Sequence, residues 1–289
     1  PLQAAWFAFR DQAMADRSAG FYVDFLVADS GERPVFFPTH GNPFAKRMRR
    51  GLGLAPSLLA GTADGFEMGH ITINDDDESL NMVFTALLTA YGVPVTAPRL
   101  ANKTLDPAAR GGGRTFTPVM LRRLVYECLG MGLNHIGPID WVWILPDGEW
   151  KIKDTPTEAE LARVFQEITH ASFWLNGMAR VQPRIALYVS DATWSDNWDP
   201  RWTNFFQTAV RDHWHITFAG DAMISERLAG QIPLVISLDN SLIDADTMEA
   251  FAAYLDAGGM IVSWRGFGER DALSRAQRED LRGRVVNHE

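Results

Sequence analysis

The sequence predicts an α/β protein made of two parts, and three observations predict it. Residues 1–180 alternate short apolar runs with helical stretches, which is typical of repeated β/α units. The character of the chain changes near Gln182 and Pro183, and short strands and helices alternate again after that point. A length of 289 residues, of which 46% are hydrophobic, suits one large domain or two of ordinary size with a sizeable core.

Four apolar runs in the first part are predicted to be strands. They span residues 33–39, 65–73, 93–100 and 132–143. Each run leads into a loop that is rich in polar, glycine or aromatic residues, and these loops follow Thr39, Ile73, Leu100 and Trp143. This arrangement is the one expected of strands that alternate with helices in β/α units.

Two helices of the first part are predicted from their start signals. Thr117 is the expected N-cap of the first, with Pro118 in its first turn. The second is expected to begin at Thr157, where Thr157 and Glu160 have the spacing of a capping box. Cys128, in the first of these helices, is the single cysteine, which excludes an internal disulfide and a Cys-based zinc site. Its mid-helix position predicts a small buried side chain rather than a nucleophile.

The second part, residues 181–289, is predicted to be a small three-layer domain. The predicted strands are 184–190, 216–219, 234–238 and 260–264, and the main helices are 202–214 and 246–257. Their β-α-β-α-β-α-β order indicates a parallel sheet that resembles flavodoxin or the glutamine amidotransferases. Helix 246–257 is expected to bury Met248 and Phe251 and to stop at Gly258. The charged residues from Arg265 onward are expected to lie on the surface or to fray.

Charge and composition exclude several classes of partner. A formal net charge of -9 and a pI near 5.3 argue against nucleic acid and against an anionic membrane surface. No apolar run approaches the ~20 residues that a membrane helix needs. Asp75, Asp76 and Asp77 lack calcium-loop spacing and are expected to form a solvated loop, so we expect no metal and no cofactor. The chain opens on Pro1 without an initiator Met or a signal region, so we expect natural sequence before it. A targeting signal would lie in that preceding part, so the compartment stays open, with a cytoplasmic location favoured.

Candidate sugar-binding side chains follow the predicted strands of the first part. Enzymes with a β/α barrel place their working groups at the carboxyl ends of the strands. His40 and Asn42 follow the first strand, where they would bond sugar hydroxyls, although His-Gly-Asn-Pro is equally good turn chemistry. Trp141 and Trp143 alternate along the last strand, so both face one side, either as the floor of a sugar site or as core.

Taken in order, these segments resemble the family 42 glycoside hydrolases, which are β-galactosidases with a catalytic (β/α)8 barrel and a following trimerisation domain. The segments that carry the resemblance are Trp6 with Phe9, Arg33-Pro34-Val35, Val93-Pro94-Val95, the helix from Pro118, Gly132 to Ile136 with Trp141, and residues 160–177, 184–188 and 254–259. The resemblance implies the C-terminal half of a (β/α)8 TIM barrel in residues 1–180. It further implies a flavodoxin-like, glutamine-amidotransferase-like three-layer α/β domain in residues 181–289, and a homo-oligomer that is a trimer in this family.

The carboxylates depart from the family pattern. Hydrolysis with retention needs two carboxyl groups about 5–5.5 Å apart, one as acid/base and one as nucleophile. The resemblance places the acid/base Glu in an Asn-Glu pair before Pro1. It places the nucleophile at the end of the seventh barrel strand, where this chain has Val95-Thr96-Ala97-Pro98-Arg99 and no carboxylate. Asp140, on the following strand, is the best catalytic candidate among the residues present.

The resemblance therefore implies a glycoside hydrolase that acts on O-glycosidic bonds, with β-galactoside-like substrates, as a fragment or as a divergent member without the usual nucleophile. A non-catalytic carbohydrate-binding or scaffold protein that keeps the fold is the main alternative. An amidotransferase-like enzyme is disfavoured, because no Cys or Ser elbow follows Ser190.

Overall fold

The structure is a computed structural model that describes residues 9, 13, 16, 36–39, 65–68, 78–92, 95–96, 118–132, 156–177, 181–196, 201–270, 281 and 283–288. The helices are α1 Glu78–Ala90, α2 Pro118–Met131, α3 Pro156–Gly177, α4 Asp191–Asp196, α5 Arg201–Arg211, α6 Glu226–Gln231 and α7 Ala245–Asp256. The strands are β1 Phe36–Thr39, β2 Gly65–Met68, β3 Val95–Thr96, β4 Ile185–Tyr188, β5 Ile216–Ala219, β6 Leu234–Leu242, β7 Met260–Arg270 and β8 Val286–His288.

The strands form two sheets, and both are parallel. In the first sheet β1, β2 and β3 are neighbours in chain order. The second sheet has five strands in the order β5-β4-β6-β7-β8. Parallel neighbours require a crossover connection rather than a tight hairpin, and described helices lie between the successive strands from β2 to β7. The mixed α/β class with parallel sheets, predicted from that alternation, is confirmed.

The elements with a regular apolar pattern lie where the sequence predicts them. The predicted strand 216–219 is β5, and the other three strands predicted in the second part overlap β4, β6 and β7. The predicted helix 246–257 is α7, and both Met248 and Phe251 on its inner face are fully buried. Gly258 has φ of 89° just after this helix, a left-handed conformation that only glycine adopts freely at a helix end. In the first part, the predicted strand 132–143 lies outside the described residues apart from Gly132.

The predicted surface tail from Arg265 was wrong over the residues that the structure describes. β7 continues to Arg270 and pairs Asn240 with Phe267, and β8 adds a fifth strand at Val286–His288. Phe267, Leu281 and Val285 are buried in the core below the sheet. Exposed charged residues separate these few apolar side chains, so the stretch has the composition of a surface segment although its apolar side chains are buried.

The predicted capping box at Thr157 was also wrong. α3 begins at Pro156, so Thr157 already lies inside the helix. Glu160 is used elsewhere, because its Oε1 accepts a hydrogen bond from Arg122 Nη1 at 2.7 Å and its Oε2 accepts one from Arg163 Nη1 at 2.7 Å. The carboxylate therefore connects α3 to α2 rather than capping a helix end.

Loss of this connection is expected to lower the thermal midpoint. Glu160→Gln removes the charge that two guanidinium groups share, and we expect the unfolding midpoint to fall by roughly 2–4 °C. Glu127→Gln is the matched control, because Glu127 pairs with Arg123 within one exposed helix face at 2.6 Å and such pairs contribute little. Circular dichroism melts of both variants measure the difference, and equal shifts would contradict the interhelical role.

The five-stranded sheet separates two buried clusters. Successive residues of a strand point to opposite faces. Leu187 and Val189 belong to the cluster that α5 covers, whereas Ala186 and Tyr188 belong to the cluster that α6 and α7 cover. The sheet therefore has helices on both faces, as a three-layer arrangement requires.

The first of these clusters also contains side chains from the first part of the chain. Met82 and Leu87 of α1, Val125 of α2 and Val164 of α3 are buried together with Phe206 of α5 and residues of β4 and β5. The described helices of residues 1–180 thus share one core with the sheet of residues 181–289. The division into two domains at residue 180 stays a prediction.

Candidate functional site

The five side chains predicted to form the sugar site lie outside the described residues. They are His40, Asn42, Asp140, Trp141 and Trp143. The structure describes the strand before two of them, since β1 ends at Thr39 and His40 is the next residue in the chain. The roles assigned to these five side chains stay predictions.

The residue register of the first sheet shows that its three strands end side by side. Thr39 is in register with Met68, and Glu67 is in register with Thr96, so the last residues of β1, β2 and β3 lie within about one residue of one another. The carboxyl ends of parallel barrel strands form the edge that carries active sites. Over its described length, Val95–Thr96, β3 has no carboxylate, and this is the strand that the resemblance expects to lead to the nucleophile.

Glu67 is a carboxyl-bearing residue at this edge that the sequence reasoning missed. It lies one residue before the end of β2 and in register with Thr96. Within residues 36–39, 65–68 and 95–96 it is the only acidic residue. The available signal was an acidic residue inside the apolar run Gly65–Met68, because charged residues are uncommon in parallel strands that are buried on both faces.

The strand order of the second sheet reverses at β4, next to its neighbour β6. Ligands of open parallel sheets bind where the strand order reverses, and β4 is that point because β5 and β6 lie on its two sides. Asn240 fills the position: its Oδ1 accepts from Ser190 N–H at 3.0 Å. Its Nδ2 donates to the Tyr188 carbonyl at 3.1 Å and to Ser237 Oγ at 2.9 Å.

A second set of hydrogen bonds joins Leu242 of β6 to Ser190 and Thr193, which follow β4. The Leu242 carbonyl accepts from Ser190 Oγ at 2.5 Å and from Thr193 Oγ1 at 2.8 Å. Thr193 Oγ1 in turn accepts from Leu242 N–H at 3.2 Å. A ligand at this switch point would have to break these hydrogen bonds within the protein. We therefore interpret the network of Asn240 and Leu242 as a structural contact that holds β4 and β6 together, and we call it the joint between these strands.

A partly exposed carboxyl lies beside that joint, just past the end of β5. Asp221 accepts a hydrogen bond from the Tyr188 hydroxyl and another, at 3.2 Å, from Asp191 N–H. Burial, and after it the charge of Asp191, raises the pKa of Asp221 to about 7. Burial likewise raises the pKa of Tyr188 well above the ordinary value. Asp221 is therefore a group whose charge changes near neutral pH.

A cleft of about 400 Å³ lies at the opposite, amino edge of the second sheet. Helix ends of α1 and α2 and the start of β5 line it, and its walls include Ala86, Met131 and Ile216. Thr89 Oγ1 lines it too, as a buried hydroxyl without a hydrogen-bond partner among the described residues. Parallel sheets bind ligands at the other edge.

Two features are absent from the described part of the chain. No three His, Cys, Asp or Glu side chains are grouped so that they could hold a metal ion in that part. None of its helices combines the length and apolar character needed to cross a membrane.

Comparison with known proteins gives a likeness of structure but not of sequence. No protein-family model matches the sequence, and no curated protein matches it. The exo-carrageenase GH42 from Bacteroides ovatus matches 99% of this chain and 42% of its own, with a TM-score of 0.72 and 12% identity. The β-galactosidase from Marinomonas ef1 matches 91% of this chain and 45% of its own, with a TM-score of 0.65 and 12% identity. The β-galactosidase from Rahnella sp. R3 matches 96% of this chain and 43% of its own, with a TM-score of 0.64 and 14% identity.

The chain spans less than half the length of these solved structures. Identities of 12–16% show the fold alone. Within that limit the expected resemblance is confirmed: the fold of this chain is similar to that of the GH42 β-galactosidases.

Proposed function

We propose that the chain is part of a glycoside hydrolase that acts on O-glycosidic bonds, with β-galactoside-like substrates as the first class to test. The observation that carries the proposal is the fold likeness, which extends over 86–99% of the chain to β-galactosidases and an exo-carrageenase. In this proposal β1–β3 are consecutive strands of the second half of a (β/α)8 barrel. The five-stranded sheet is the following flavodoxin-like domain, since its strand order corresponds to the 2-1-3-4-5 order of that fold.

The proposed site lies at the carboxyl edge of β1–β3. His40 and Asn42 would bond sugar hydroxyls, and Trp141 and Trp143 would stack on the apolar face of the sugar ring. Asp140 would act as a general acid or base, because glycoside hydrolysis needs a carboxyl group to protonate the leaving oxygen or to activate water. Glu67 is the second carboxyl group to test, since it lies one residue from the same edge.

The test is turnover of a panel of nitrophenyl glycosides and carrageenan oligosaccharides by the full natural protein. We expect hydrolysis of at least one β-linked substrate, and a loss in kcat on the order of 10²–10⁴-fold when the carboxyl group that transfers the proton is replaced. Asp140→Asn and Glu67→Gln are the test variants, and Glu127→Gln on α2 is the matched control.

One result would overturn the proposed hydrolase activity, and another would overturn the proposed roles of Asp140 and Glu67. Absence of turnover on every sugar would refute the hydrolase. Full activity of both Asp140→Asn and Glu67→Gln would remove these two residues from the mechanism while leaving the hydrolase in place.

A non-catalytic carbohydrate-binding or scaffold protein is the second candidate, and one observation favours it. β3 has no carboxylate over Val95–Thr96, where the resemblance expects the strand that leads to the nucleophile. Loss of a nucleophile removes the covalent route of hydrolysis. Calorimetry would decide for this candidate if the protein bound a galactoside without turning it over and if the Trp141→Ala variant no longer bound it. A homo-oligomer, with three subunits as in the family, stays a prediction.

A further inference from the structure

The Asp221 carboxyl lies where elements from both predicted parts of the chain meet. Tyr91, which follows α1, packs against Gly220, the residue before Asp221. The contact is so close that a Cβ built on Gly220 would lie 1.7 Å from Tyr91 Oη. Tyr188 of β4 and the N–H of Asp191 at the start of α4 supply the two hydrogen bonds to the carboxyl group. One acidic group thus sits at the contact between the α1 side of the chain and the five-stranded sheet.

Two carboxylates near Asp221 favour its neutral form, whereas the hydrogen bonds that it accepts from the Tyr188 hydroxyl and the Asp191 N–H favour the ionised form and offset part of their effect. Asp191 of α4 and Asp244, just before α7, both disfavour a second negative charge at this position. Tyr91 and Tyr188 face it with hydroxyl groups whose own pKa values are raised, first of all by burial. No lysine or arginine of the described part of the chain pairs with Asp221. An ionised Asp221 is therefore a partly buried charge without a described cation beside it, and such a charge is costly.

We propose that Asp221 is a proton-controlled contact between the segment after α1 and the five-stranded sheet, tightened when its carboxyl group binds a proton and loosened when it ionises. Protonation removes the repulsion from Asp191 and the cost of burying the charge. Ionisation restores both, next to the ring of Tyr91. This inference does not depend on the proposed glycosidase function.

The direction of the pH dependence follows from the two states of the chain. In the unfolded chain an aspartate ionises near pH 4, whereas the pKa of Asp221 in the folded chain is about 7. Between these values the folded chain holds a proton that the unfolded chain has released. The contribution of Asp221 to the free energy of unfolding is therefore fully present below about pH 4 and is lost as the pH rises through about 7.

Urea denaturation at pH 5 and pH 8, followed by tryptophan fluorescence, tests the proposal on three chains: the unmodified protein, Asp221→Asn and Asp246→Asn. Asp246 is exposed in the first turn of α7 and serves as the matched control. We expect the folding equilibrium constant of the unmodified protein to fall on the order of 30- to 100-fold more between these pH values than that of Asp221→Asn. The Asp246→Asn control should behave like the unmodified protein. Parallel behaviour of Asp221→Asn and the unmodified protein would overturn the proposal.

Asp191→Asn keeps the test decisive if Asp221→Asn does not fold. Since the charge of Asp191 raises the pKa of Asp221, its removal should shift the pH-dependent loss of stability to lower pH. An unshifted loss would contradict the proposal.

Hydrogen–deuterium exchange locates the effect. After correction for intrinsic rates, amides of residues 83–92 and 216–224 should exchange faster at pH 8 than at pH 6 in the unmodified protein and not in Asp221→Asn. A pH effect confined to other segments would refute the assignment to this contact.

Discussion

Replacing Asn240 by leucine is expected to lower the free energy of unfolding by about 3–6 kcal/mol. Leucine has the same branching and the same number of side-chain heavy atoms, but its methyl groups are larger than the amide, so overpacking of this fully buried position adds to the cost. Three buried groups also lose their partner: the Ser190 N–H, the Tyr188 carbonyl and the Ser237 hydroxyl. Each buried polar group left unpaired costs about 1–3 kcal/mol. Urea denaturation gives the free energy of unfolding directly.

Two further variants separate the network from a general effect of the substitution. Asn204→Leu makes the same change at an exposed position of α5 and should stay within about 0.5 kcal/mol of the unmodified protein. Ser237→Ala removes one of the three partners and should cost about 1 kcal/mol. A loss below 1 kcal/mol for Asn240→Leu would show that the joint between β4 and β6 does not depend on its amide.

Gly220→Ala is expected to lower the free energy of unfolding by about 2–3 kcal/mol. The new Cβ would lie 1.7 Å from Tyr91 Oη and 2.5 Å from Tyr91 Cζ, so the tyrosine ring would have to leave its position. Backbone strain does not contribute, because Gly220 has φ of -109° and ψ of 179°, an extended conformation that alanine adopts freely. The cost is therefore a measure of how firmly Tyr91 is held against the sheet.

A double-mutant cycle with Tyr91→Ala tests this explanation. If the clash is the cause, Gly220→Ala should cost at least 1 kcal/mol less in the Tyr91→Ala background than in the unmodified protein. Gly230→Ala is the matched control, since a Cβ at this position of α6 meets no atom within 4 Å and alanine favours a helix. Equal effects of the two glycine substitutions would contradict the close contact with Tyr91.

The parts of the fold that follow from local pattern were predictable from the sequence. The alternation of apolar residues located β5, and the helical spacing of Met248 and Phe251 gave the inner face of α7. Residues that act through distant partners were not predictable. The role of Glu160 depends on Arg122, which is 38 residues earlier in the chain. In the same way, the surroundings of Asp221 depend on Tyr188 and Asp191, which are 33 and 30 residues earlier in the chain.

In the candidate site, too, features set by local sequence were predictable and features set by distant residues were not. The end of β1 at Thr39, just before His40, follows from a short apolar run that stops at a polar turn. Glu67 was overlooked, because a single acidic residue in an apolar run carries no periodic signal. Its position became informative only when the register aligned it with Thr96 on the neighbouring strand.

The core shared by residues on both sides of residue 180 limits where the chain can be truncated and which part of it can be transferred to another protein. Met82 and Leu87 of α1 share their buried cluster with the sheet residues Leu187 and Phe218, and α1 packs on β5, so removal of the sheet would expose part of this cluster to water. The sheet is therefore not a portable module. We expect a chimera that borrows it to need α1, which packs on β5 and α5, and an insertion that separates α1 from the sheet to lower the stability of both.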